Sequence, residues 1–126
     1  MPSALSRAAT LASASAFAAA FAVCCAEKGI IPIFGLEVNT REEVHVVCLF
    51  GELETAVSFG NYIESTLPAI SNDPKIFGDQ VVVDEFENIL GSVDPILFNS
   101  SSISFFELIP GVLKLGGLVI PAHIER

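Results

Sequence analysis

The sequence predicts an α/β domain, on three observations. Short β-branched apolar runs at 29–38, 44–50 and 118–121 alternate with stretches of helical periodicity. Hydrophobic residues make up 52% of the chain and charged residues only 17%, which calls for a packed core and excludes disorder. At 126 residues the chain suits one domain and no more. The order strand, strand, helix, hairpin, helix, strand predicts mostly parallel strands.

Each element has a local reason. Residues 10–28 are alanine-rich and free of Gly and Pro, with Lys28 in the last turn and Gly29 placed as a C-terminal cap, so they predict a helix. GIIPIFGLEV (29–38) reads as a buried strand, broken by Pro32 and Gly35, and puts Glu37 where an apolar residue belongs. Asn39 to Glu43 are turn-like. Thr40 and Glu43 have capping-box spacing, but the β-branched run after them argues against a helix. VHVVCLF (44–50) is the second strand.

From Glu52 to Leu67 the residues Leu53, Ala56, Val57, Gly60, Ile63 and Leu67 follow the helical period, and Pro68 ends it. SNDPKIFGDQ (71–80) reads as a loop and VVVDEFENILG (81–91) as two short strands around an acidic turn. Ser104 and Glu107 form a capping box flanked by Ile103 and Leu108 at staple spacing, predicting a helix from Phe105. Pro110 and Gly111 interrupt that helix with a kink, Gly116 and Gly117 end it, and LVIP is the last strand.

Fifteen acidic against six basic residues give a net charge of −9. That balance excludes an electrostatic grip on duplex nucleic acid, and any phosphate ligand would need metal ions to neutralise it. Cys24, Cys25 and Cys48 are odd in number and lack C-x-x-C spacing, which predicts a reducing, cytoplasmic setting. LASASAFAAAFAV (11–23) has the outline of a secretory signal, but it is weakly hydrophobic and runs through AEKG into a strand without a linker. An exported protein with a signal over residues 1–25 is the alternative, and only then would the Asn99-Ser100-Ser101 sequon matter. No membrane association is expected.

Glu37, His45 and His123 share one description: a metal-competent side chain at the end of an apolar strand. Carboxylate and imidazole are donors for Zn, Mn, Fe or Mg, and strand ends let distant residues converge. Glu37 and His45 can face each other if their strands pair closely across NTREE, whereas His123 must be brought in by the fold. The plainer reading makes each an ordinary core or surface residue. The turn at Asp84, Glu85 and Glu87 could bind calcium but lacks the loop spacing, and as a solvated hairpin tip it needs no ligand. Cys24 and Cys25 read as small buried residues and Cys48 as packing. No phosphate-cradling glycine loop or nucleophile elbow is present.

GLEVNTREEVHVVCLF (35–50) and GGLVIPAHIER (116–126) resemble the polymerase and histidinol phosphatase (PHP) family of metal-dependent phosphoesterases. Members carry G-x-E at a strand end, a strand opening on His in a pattern like HVLCYF, and later an IPAH-x-D-R strand. FGDQVVVDEFENILG (77–91) looks like an insertion found in one bacterial branch. The resemblance covers residues 26–126 and implies that 16–126 form part of a distorted, TIM-like PHP β/α barrel with a β-hairpin insertion, residues 1–15 being an unassigned Ala/Ser-rich N-terminus. It implies that Glu37 ligates and bridges divalent metals (Zn, Mn, Fe or Mg), that His45 and His123 each ligate one, and that the substrate is a small phosphoester or nucleotide. Glu125 stands where members have Asp, and Arg126 would lie beside substrate phosphate.

The departures are whole motifs. Members begin with H-x-H, continue with a T-D-H-like stretch and end with D-x-H, whereas this chain has two histidines in total. The expectation is therefore a central fragment of a metal-dependent phosphoesterase, inactive or weakly active alone, with a catalytically dead binding module as the alternative. Missing barrel strands would leave sheet edges unpaired and favour self-association.

Overall fold

The computed structural model describes residues 13–123. The expectations for residues 1–12, Glu125 and Arg126 lie outside the described residues. In chain order the elements are α1 (Ser13–Glu27), β1 (Phe34–Asn39), β2 (His45–Phe50), α2 (Leu53–Ser65), α3 (Pro74–Phe77), β3 (Val81–Val83), β4 (Ile89–Ser92), α4 (Phe105–Lys114) and β5 (Leu118–Pro121). The fold is mixed α/β, with a three-stranded sheet in the order β1-β2-β5 and a separate β3-β4 hairpin. The described strands do not close into a barrel. No helix among the described residues is long and apolar enough to cross a membrane.

The expected parallel arrangement is overturned: β1 and β2, β2 and β5, and β3 and β4 all pair antiparallel. For β1 and β2 the reason lies in the connection at 40–44, since a parallel neighbour needs a crossover of about a dozen residues or more. Thr40 instead builds a tight loop, its N–H donating to Val44 O (3.0 Å) and its hydroxyl accepting from Val44 N (3.2 Å). Glu43 closes it at φ 62. The loop is docked by Arg41 N–H donating to Ile103 O and by Phe105 N–H donating to the Glu42 carboxylate, both at 2.9 Å.

One face of the sheet carries the core. Phe34, Val38, Val46, Cys48 and Phe50 pack against Ala56, Phe59 and Ile63 of α2 and against Leu108 and Val112 of α4. α1 closes one end, with Phe21 edge-on to Phe34 at 6.4 Å. β1 was expected to be buried throughout, yet it alternates, and Glu37 lies on the open face rather than in an apolar place. That open face also carries Val47, Leu49, Leu118 and Ile120, the last two largely exposed.

Three local expectations change. Pairing in β1 starts at Phe34 and not at residue 29, because Gly29 at φ 67 ends α1 and Ile30 N–H donates back to Cys25 O (2.9 Å). Within 71–80 a single helical turn forms at α3, where Asp73 caps Lys75 N–H and Pro74 opens the turn. Phe59, outside the periodic set, is among the most buried residues of α2. The capping box of α4 forms in both directions, with Ile103 and Leu108 buried beside it.

Gly35 has a structural necessity. A Cβ there would sit 2.4 Å from Cys48 O and 2.6 Å from a Leu49 methyl, so β1 and β2 approach at a distance no side chain permits.

Candidate metal centre

The 40–44 loop sets the register that builds the site. It places Asn39 opposite His45 and Glu37 opposite Val47, so Glu37 and His45 are diagonal neighbours on the open face. Their side chains meet: His45 Nδ1–H donates to Glu37 Oε1 at 2.7 Å. β5 then delivers the third group. Ala122 N–H donates to His45 O (2.9 Å), and His123 follows with its Nε2 4.0 Å from the same Glu37 oxygen. The two imidazoles lie 5.8 Å apart, edge to face.

His123 adopts φ 57, a left-handed conformation that histidine enters more readily than most residues, though at some cost. All three side chains are about half exposed, with 45, 47 and 54% of Glu37, His45 and His123 accessible.

The donor set fits a divalent cation. One ligand atom from each residue lies within 4.8 Å of the others. Tetrahedral ligands at ~2.1 Å from zinc are roughly 3.4 Å apart, and the observed 2.7 and 4.0 Å separations bracket that value. Two imidazoles and a carboxylate are borderline and hard donors that suit Zn, Mn or Fe.

Beside the cluster lies an open cavity of about 330 Å³ lined by Glu37, Asn39, His45, Leu97 and Phe98. Leu97 and Phe98 belong to a coil segment to which no role attached in the sequence. Gln80 holds that segment, its amide donating to Val93 O (3.0 Å) and Pro95 O (2.7 Å) while its oxygen accepts from Leu97 N–H (2.9 Å). Phe98 is edge-on to Phe77 at 5.3 Å. The available signal was two apolar runs, Ile76-Phe77 and Ile96-Leu97-Phe98, set between polar residues.

The remaining candidates separate cleanly. Both Asp84 oxygens are taken by Phe86 N–H, Asn88 N–H and the Asn88 amide, so this carboxylate shapes the hairpin turn and does not face a cation. Burial pushes the Cys48 thiol up to about 12, which rules it out as a thiolate. Cys24, expected to be buried, is exposed, whereas Cys25 is buried. Asn99 Nδ2 is enclosed, so the sequon amide is not offered to solvent. Searched against family models, curated proteins and solved structures, the chain matches none of them.

Proposed function

We propose that the chain provides one wall of a divalent-metal centre that acts on phosphoesters, within a PHP-type barrel of which the β1-β2-β5 sheet is a part. The observation that carries this is the convergence of His45, at the start of β2, and His123, just beyond β5, on one carboxylate oxygen of Glu37 in β1. An open sheet face bearing Leu118 and Ile120 supports it, because a barrel would enclose that face.

In this reading Glu37 is the bridging ligand and His45 and His123 are terminal ones. The metal, when bound, supplies an activated water and neutralises phosphate charge, which a chain of net charge −9 cannot do unaided. Before metal binds, Glu37 holds the His45 ring by its Nδ1–H and so pre-sets the imidazole. Three donors leave coordination positions open for phosphate and for ligands from elsewhere, so the chain alone is a weak catalyst. A module that binds metal without turnover is the second reading, favoured by the lack of a basic residue among the described residues that line the cavity.

Cobalt titration tests the proposal. The chain should develop a visible d–d spectrum that phosphate perturbs, and Glu37→Gln, His45→Ala and His123→Ala should each weaken cobalt binding at least tenfold. A spectrum unchanged by all three substitutions would overturn it. Manganese-dependent hydrolysis of bis(p-nitrophenyl) phosphate, lost in His123→Ala, separates the enzyme from the non-catalytic module.

A further inference from the structure

We infer that Phe98, with Leu97, seats the organic part of the phosphoester and selects a flat apolar group. The inference rests on the metal-centre reading and adds the class of ligand.

The cavity has two unlike halves. Glu37 and His45 form a polar edge that holds the cation and, through it, phosphate. Leu97 and Phe98 form the apolar half, and Phe98 is 58% exposed although its neighbour Phe77 lies edge-on to it. Leaving a phenyl ring in water forfeits about 25 cal/mol per Å² of apolar surface, so a ligand that covers it recovers that free energy. An aromatic ligand adds an oriented ring contact on top of the area buried.

The lining also excludes competitors. Among the described residues that line the cavity none is a lysine or arginine. Asn39 is the sole amide among the lining residues, too few polar groups to replace the hydration of a sugar's hydroxyls. At about 330 Å³ the space is at the small end for ligand sites and suits one phosphate with one ring system.

The test uses phenylphosphonate and methylphosphonate, stable probes with the same anionic head, titrated by calorimetry into the zinc-loaded chain. Phenylphosphonate should bind about tenfold more tightly. Phe98→Ala should bring the two probes to within twofold while leaving zinc affinity unchanged. Phe98→Leu, which keeps an apolar side chain but loses the ring, should fall between, and carries the test if the alanine variant unfolds. Equal binding of both probes to the zinc-loaded wild type, or an unchanged ratio in both variants, overturns the inference and leaves the metal centre standing. Failure of zinc to bind at all removes the metal-centre reading and this inference with it.

Discussion

Replacing Gly35 with alanine should destabilise the fold and loosen the hydrogen bond between Glu37 and His45. A new methyl would stand 2.4 Å from Cys48 O and 2.6 Å from Leu49 Cδ2, where real contacts do not fall below 3.0 Å, so β1 must retreat from β2 by at least about 0.6 Å. The Leu49 methyl can rotate away, but the carbonyl is backbone held in the ladder. Overpacking of this kind costs about 1–3 kcal/mol. For a domain of this size that is a fall of roughly 5–15 °C in melting temperature. Glu37 lies two residues further along the same strand face, so the same retreat stretches the 2.7 Å contact with His45 beyond a good hydrogen bond. Widened by about 0.6 Å, that separation approaches the roughly 3.4 Å between tetrahedral zinc ligands, so zinc affinity should stay within about threefold of the wild type while the fold weakens. Thermal unfolding followed by circular dichroism and zinc calorimetry read the two effects. Gly91→Ala, where an added Cβ meets nothing within 4 Å, is the control and should melt like the wild type. A Gly35→Ala variant that melts within a degree of the wild type would refute the close strand approach.

Two further outcomes follow from hydrogen bonds. Ser104→Ala removes the acceptor for Glu107 N–H in the capping box and should cost about 1 kcal/mol, seen as a lower midpoint in urea with an unchanged slope. Hydrogen bonds from the Asn88 side chain and then from backbone amides hold the Asp84 carboxyl below its ordinary 3.8. Its contribution is therefore present above that pH and is lost as pH falls through the lowered value; Asp84→Asn should be less stable than wild type at pH 7, and the difference should shrink below pH 4 in pH-dependent urea melts.

Local chemistry was legible and long-range geometry was not. The start of α4 follows from Ser104 and Glu107 alone, and the bounds of β5 coincide with LVIP, because both depend on neighbours in sequence. Strand direction was misjudged because alternation of element types suggested crossovers, whereas the short NTREE loop already required an antiparallel pair. That same loop made the meeting of Glu37 and His45 readable. The arrival of His123 was not, since residues 51–117 separate it from β2 and only packing of β5 against that strand brings it home. Leu97 and Phe98 escaped notice because coil residues have no periodicity, and their placement depends on a side chain, Gln80, seventeen residues from Leu97.

Gln80 has a consequence for how such a protein can change. One amide fastens the 93–97 stretch at three points, while the sheet that carries Glu37 and His45 is held by its own ladder and by the 40–44 loop. A substitution at Gln80 would shift Phe98 without disturbing the two strands, and one at Gly35 would do the reverse. The apolar lining and the polar edge are thus separately heritable: drift at one leaves the other intact, and a lineage could retune what lies against Phe98 many times over on an unaltered sheet.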